Sequence, residues 1–195
     1  MKNIHELAQK NTETARAIVR DIDMERIWAS IGAEVNLVGS LKTGLLMKHR
    51  DIDFHIYTPE LKLADSFFAM SQLAANPRIQ RIECRNLIET DEECIEWHAW
   101  YQHENDTLWQ IDIIHILRGS TYDGFAEKLA ARIAAVLTPE TRQAVLQLKY
   151  DTPDNEKIMG IEYYVAVFRD GIRDYDAFAA WRKAHPFDEI SMWAP

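Results

Sequence analysis

The sequence is poor in cysteine, in positive charge and in long apolar runs. It has two cysteines, Cys84 and Cys94, in 195 residues. Two thiols do not make a four-ligand zinc site. They lie on stretches expected to be neighbouring strands, where two reduced, packing thiols are expected rather than a disulfide. Lysine and arginine number 22 against 31 aspartates and glutamates, for a formal net charge of −9. That balance opposes nonspecific binding to DNA or RNA, which depends on neutralising phosphates. It suits small cationic molecules or protein partners. No apolar run approaches the roughly 20 residues of a membrane span. The stretch Met1 to Glu6 lacks a signal peptide's apolar segment. A cytoplasmic location with no membrane partner is therefore expected. There is no internal repeat and no low-complexity tract. What is present is a hydrophobic content of 47%, enough for a real core in one domain or two small ones.

The chain is organised around Val38 to Asp53, Val-Gly-Ser-Leu-Lys-Thr-Gly-Leu-Leu-Met-Lys-His-Arg-Asp-Ile-Asp. Glu34 to Val38 reads as a short strand and Gly39-Ser40 as a tight turn. Leu41 to Met47 reads as a short helix with Ser40 as its N-cap. Asp51 to Tyr57 reads as a second strand. A helix N-terminus presents unpaired N–H groups and partial positive charge, so it can hold a phosphate. Gly39 lets the backbone approach closely. A valine there is expected to block the phosphates while leaving the carboxylates free to bind metal. Asp51 and Asp53 share one face of their strand, and Ile52, Phe54 and Ile56 point to the other. Two carboxylates on one face repel unless a cation sits between them, and Mg²⁺ is often shared by a few carboxylates and substrate phosphates.

Elsewhere, apolar spacing predicts one long helix or two over Ile4 to Ile31, stopped by Gly32. Leu63 to Ala75 reads as a helix stopped by Asn76-Pro77. Three strands follow: Arg78 to Glu89, Cys94 to Glu104, and Thr107 to Leu117, turned at Asn105-Asp106. They read as an antiparallel meander. The stretch Trp109-Gln-Ile-Asp-Ile-Ile-His-Ile116 buries a carboxylate among isoleucines, which demands a partner for Asp112. The meander can bring Asp112 beside Asp51 and Asp53 in one mixed sheet. On the strand from Cys94, Ile95, Trp97, Ala99 and Tyr101 form the apolar face. Glu96, His98, Trp100 and Gln102 form the other, so Glu96 and His98 are candidates for acceptor contact or general base, against a plain solvated face. From Gly119 the pattern is helical: Asp123 to Leu137, a helix opened by Thr138-Pro139 and running to Tyr150, Ile158 to Arg169, and a last helix capped by Asp174. Tyr163, Tyr164, Phe168, Tyr175, Phe178 and Trp181 read as helical core. The fold class is α/β (α+β): a small mixed sheet with helices on one face over residues 1–118, then a helical domain over residues 119–195.

The stretch Glu34 to Leu117 resembles the DNA polymerase beta-like nucleotidyltransferase superfamily. That family's motif is an apolar residue, Gly-Ser, a short helix, then Asp-apolar-Asp, with a third carboxylate on a later strand. Here Leu41 to Arg50 separate the two halves. Gly44 sits where many members carry a second glycine. Arg50 stands where a small hydroxyl residue is common, and Leu45-Leu46 replace smaller residues. The resemblance implies transfer of a nucleoside monophosphate, AMP from ATP, onto an acceptor with release of pyrophosphate. It implies two Mg²⁺ ions on Asp51, Asp53 and Asp112, and phosphates on Gly39 and Ser40, with Lys42 the nearest cation. Lys48, His49, Arg50 and the helix-terminal Lys149 and Tyr150 are further candidates for the nucleotide. His55 and His115 are expected to be structural. Within the family, the acidic charge and the extra helices point to the hydroxyl of a small molecule, as in antibiotic-modifying members. The helical domain is expected to shape the acceptor pocket, and the cleft's acidity to favour a cationic or neutral acceptor. Modification of a protein side chain, as in toxin-controlling members, and a non-catalytic nucleotide-binding protein are the alternatives. Nucleic acid is disfavoured by charge.

Overall fold

The computed structural model describes residues 3–104, 107–187 and 193–195. The turn expected at Asn105-Asp106 lies outside the described residues. The chain opens with α1 (Ile4–Ile22), capped by the Asn3 side chain, which accepts from the His5 N–H. Its buried residues Ala8, Ala15, Ile18 and Ile22 recur at helical spacing. The expected long helix is two: Asp23 takes a left-handed φ of 47°, and α2 (Met24–Ala29) follows.

A five-stranded sheet comes next, built from β1 (Glu34–Leu37), β2 (Asp51–Thr58), β3 (Ile79–Leu87), β4 (Cys94–His103) and β5 (Thr107–Leu117) in the order β1-β2-β5-β4-β3. Strands β3, β4 and β5 form the expected antiparallel meander, β1 pairs antiparallel with β2, and β2 runs parallel to β5. Between β2 and β3, α4 (Leu63–Ala74) crosses the sheet and joins α1 and α2 on one face. The side chains they cover are Ile52, Phe54, Ile95, Trp97, Ile111 and Ile113, with neighbours of the same parity. Each fully buried isoleucine contributes about 1.5–3 kcal/mol. A one-residue slip of β2 or β5 would exchange that face for the acidic one, so core burial fixes the register of the carboxylates.

The helices after the sheet form a second core. They are α5 (Phe125–Val136), α6 (Pro139–Asp151), α7 (Gly160–Tyr164), a π-helical segment (Val165–Arg169) and α8 (Tyr175–Ala184). Tyr163, Tyr164, Phe178 and Trp181 are buried there, with Tyr163 stacked on Phe178 at 4.9 Å between ring centroids. The aromatic set is thus core, as its helical spacing indicates. Cys84 and Cys94 are both free and stand opposite Trp97 and Leu87 rather than each other. Among the described residues, no helix is long and apolar enough to cross a membrane.

The expected helix from Leu41 to Met47 is shorter and earlier, α3 (Gly39–Thr43). Gly44 ends it with a φ of 72°. The next three residues pack into three different clusters. Leu45 enters the helical core, Leu46 the sheet core, and Met47 a third cluster with Ala8 and Leu146. The left-handed glycine stops the helix, and the chain beyond it runs between the two cores. Leu45 and Leu46 therefore tie the sheet to the helices. The first turns of α1 do the same, because Ile4 and Leu7 pack in the Met47 cluster beside Tyr150.

Candidate active site

The open face of the sheet carries the acidic residues. On the parallel pair, Asp53 stands opposite Asp112 and Asp51 opposite Gln110; across the next ladder, His98 stands opposite Asp112. Three carboxylates from two adjacent strands thus share one face.

Asp53 is pressed against the Gly39-Ser40 turn. Gly39 has a φ of 65°, and a Cβ placed there would lie 1.9 Å from Asp53 Oδ2. The Ser40 N–H donates to the Asp53 carboxylate. The N-terminus of α3 therefore already faces a carboxyl group from its own chain. Nor does Ser40 cap the helix: Val38 precedes it and makes no side-chain cap. The Ser40 hydroxyl instead accepts from Lys149 Nζ at 2.7 Å. Lys149 is 7% exposed, and its second acceptor is the Leu45 carbonyl at 3.1 Å. Enclosure pushes the Asp53 carboxyl up to about 8, helped by repulsion from Asp51 and Asp112 and opposed by Lys149 and the Ser40 N–H.

Asp112 is held from the other side. Its Oδ1 lies 2.5 Å from His98 Nδ1 and accepts from Gln110 Nε2 at 2.7 Å. His98 Nε2 lies 3.1 Å from Glu96 Oε1, and Arg85 donates to Glu96 Oε2 at 2.7 Å. Glu96 and His98, expected on the cleft face, are there, and His98 bridges Asp112 to Glu96.

Two cavities meet at Asp112. One, of about 320 Å³, is lined by Ser40, Asp51, Asp112, His49, Arg50, Lys149 and Lys157, with Met159 at its edge. The other, of about 440 Å³, is lined by Gly39, Asp53, Glu96, His98 and Asp112, with Ala126, Leu129, Ala130 and Ile133 of α5 opposite. A wider groove of about 820 Å³ adjoins the first, with Lys48, His49, Arg50, Trp100 and Tyr150 on its walls.

Lys42 is exposed and lines neither cavity. It points off the last turn of α3, whereas the cations at the first cavity come from elsewhere. Lys149 was visible in sequence only as a helix-end lysine. Lys157 carried no signal, since it lies in the linker before α7 and only the tertiary fold brings that linker over the sheet. Lys48 is committed to Asp154 at 2.7 Å and to the Thr152 carbonyl. The two histidines expected to be structural both have protein partners, although His55 also lines the second cavity. His55 reaches the Tyr57 hydroxyl at 3.2 Å, and burial lowers its pKa. His115 is fully buried on the opposite face, 2.8 Å from Thr58 Oγ1, and burial pushes it down to about 4.

The donor set suits Mg²⁺. Asp51, Asp53 and Asp112 offer only hard oxygen ligands, and the crowding that raises Asp53 is what a divalent cation relieves. As placed, Asp53 and Asp112 are turned to protein partners. Among the described residues, no three acidic, histidine or cysteine side chains converge into a ready metal cage.

The close fit at Gly39 changes what a substitution there does. A side chain does not simply block phosphates and spare the carboxylates, because its Cβ collides with Asp53. Gly39→Ala is expected to destabilise the protein by about 2–4 kcal/mol, from left-handed strain plus the displaced carboxylate. It should also abolish Mg²⁺-dependent thermal stabilisation. Melting curves with and without Mg²⁺ measure both, and wild-type behaviour would show that Asp53 has room to move.

Neither a protein-family model nor a curated protein sequence matches the chain. Solved structures do. The non-canonical poly(A) polymerase complex GLD-2–GLD-3 aligns with 86% of this chain and 58% of its own, at a TM-score of 0.57 and 9% identity. The RNA terminal uridylyl transferase Cid1 aligns with 81% of this chain and 46% of its own, at 0.56 and 15%. The Cid1 poly(U) polymerase with bound MgGTP gives 81% and 49%, at 0.51 and 19%. The chain therefore spans 46–58% of the length of these structures. At such identities the likeness establishes the fold, that of the polymerase beta-like nucleotidyltransferases.

Proposed function

We propose that this chain is an Mg²⁺-dependent nucleotidyltransferase that moves AMP from ATP to a hydroxyl of a small molecule. The observation that carries this is the placement of Asp53 opposite Asp112 on parallel strands, with Asp51 on the same face and the Ser40–Lys149 pair alongside. Residues 1–118 supply the transferase core, and residues 119–195 close the cleft. Lys149, Lys157 and Arg50 neutralise the triphosphate, and Ser40 exchanges its bond to Lys149 for one to a phosphate oxygen. Asp51, Asp53 and Asp112 hold Mg²⁺, which when bound neutralises phosphate charge and lowers the pKa of a coordinated hydroxyl. The acceptor oxygen bonds to the α-phosphorus, the bond from that phosphorus to the β-phosphate's bridging oxygen breaks, and pyrophosphate leaves. The hydroxyl proton passes to an Asp112 oxygen.

One observation favours a second reading, transfer to an RNA 3′ hydroxyl. The groove beside the site carries His49, Arg50, Trp100 and Tyr150, cations and stacking surfaces that suit single strands. The similar folds include RNA terminal transferases. The net charge of −9 weighs against it. The test is pyrophosphate release with Mg²⁺ and ATP, using pooled hydroxylated small molecules, an RNA oligonucleotide or protein as acceptor. Release with the small-molecule pool is expected. Release only with RNA selects the second reading, and release with none, together with no ATP binding, removes the transferase assignment.

A further inference from the structure

We infer that the two cavities meeting at Asp112 divide the substrates by charge: the one beside Lys149 takes the nucleotide phosphates, and the one under α5 takes an acceptor with a hydroxyl, an apolar body and a cationic amine. This rests on the transferase reading above. Lys149, Lys157 and Arg50 all border the first cavity. The second has no lysine or arginine among its described lining residues. Its floor is Asp53, Glu96, His98 and Asp112, and its opposite wall is the apolar side of α5. A polyanion is drawn to the first and repelled from the second.

The second cavity is a held shape rather than a gap between loose parts. Tyr57 fixes α5 above the sheet: its hydroxyl donates to Glu127 at 2.9 Å and accepts from the Gly124 N–H at 3.2 Å. Packing of α5 into the helical core through Leu129 and Ile133 holds the other end. At about 440 Å³ it falls in the range of small-molecule sites, which combine an apolar lining with a few polar groups. Arg85, mostly exposed, offsets part of the Glu96 charge, His98 lies between Glu96 and Asp112, and Mg²⁺ on Asp53 and Asp112 would offset theirs, so the pull on an amine is moderate and comes chiefly from Glu96. Asp112 borders both cavities, so a hydroxyl on a molecule in the second faces a phosphate in the first across the same carboxylate.

Three probes of matched size separate these features: 2-amino-1-phenylethanol (cationic), 1-phenyl-1,2-ethanediol (neutral) and mandelate (anionic). Binding of each is followed by ligand-observed NMR, and binding of a nonhydrolysable ATP analogue with Mg²⁺ by calorimetry. The amine is expected to bind about tenfold tighter than mandelate at low salt, with the diol between, and the gap should shrink as salt rises. Ala126→Phe, which fills the cavity from α5, should remove amine binding and keep affinity for the ATP analogue. Glu96→Gln, which keeps the shape, should bring the amine to the level of the diol, so a poorly folded Ala126→Phe does not leave the question open. Tighter binding of mandelate, amine binding unchanged in both variants, or competition between the amine and the ATP analogue would overturn the assignment. Failure of wild-type protein to bind the ATP analogue would instead remove the transferase reading, while the probe series still decides whether the cavity selects amines.

Discussion

Asp53→Asn is expected to abolish the proposed nucleotidyl transfer and to make the metal-free protein more stable. The loss of activity is expected to be about 10³-fold or more, because a carboxylate that supports metal binding is removed from the reacting centre. Asp51→Asn and Asp112→Asn should lose transfer similarly. The gain in stability follows from the position of Asp53. In the fold its carboxyl keeps a proton up to about pH 8, and in the unfolded chain only up to about pH 4. Between these limits the folded state binds more protons, so its stability falls as pH rises. Asparagine is never charged and still accepts from the Ser40 N–H, so it escapes this penalty. The variant should therefore melt near wild type around pH 4 and above it at pH 8, by about 2 kcal/mol or ~4–8 °C. Mg²⁺ should raise the melting temperature of wild type and leave the variant unmoved. The measurement is a set of melting curves across pH with and without Mg²⁺, beside a pyrophosphate assay. Transfer at wild-type rate would remove the carboxylates from the mechanism, and a variant that melts lower at pH 8 would show that Asp53 is not electrostatically crowded.

Lys149→Met carries the second large effect, on stability and nucleotide affinity together. The ammonium is buried, donates to Ser40 Oγ and to the Leu45 carbonyl, and opposes the repulsion around Asp53. Methionine fills similar space but leaves a buried carbonyl without its donor and the carboxylates without their nearest cation. A cost of about 3 kcal/mol is expected, with ATP affinity down by about tenfold or more from the lost charge-assisted contact. Arginine should not rescue it, because a planar fork cannot replace a compact ammonium in this enclosure. Lys42→Met, on the exposed side of α3, should change neither quantity. Denaturant unfolding and calorimetry with the nonhydrolysable ATP analogue measure both. Equal ATP affinity in Lys149→Met and wild type would make Lys149 purely a structural tie, and a loss in Lys42→Met would return the phosphate contact to α3.

The strands were legible because alternation is a local property. Ile52, Phe54 and Ile56 had to point away from Asp51 and Asp53, and their burial in the core shows that they do. The chain from Leu41 to Met47 was misread. Its composition permits a helix, but Gly44 inside it takes the left-handed conformation that ends one, and Leu45, Leu46 and Met47 then pack into three separate clusters.

The sequence by itself determined the strand periodicity, the meander, the glycine turn before the acidic strand, and the presence of three carboxylates on strand faces. Each of these follows from residue types within a few positions of one another. Tertiary structure alone decided that Asp53 seats on Gly39, that Lys149 rather than Lys42 stands at Ser40, that His98 bridges Asp112 to Glu96, and that two cavities of unlike charge meet at Asp112. The Lys149–Ser40 contact alone joins residues 109 positions apart. No local pattern encodes them, because they depend on how the parallel pairing of β2 with β5 and the docking of α5 and α6 bring separate stretches onto one face of the sheet.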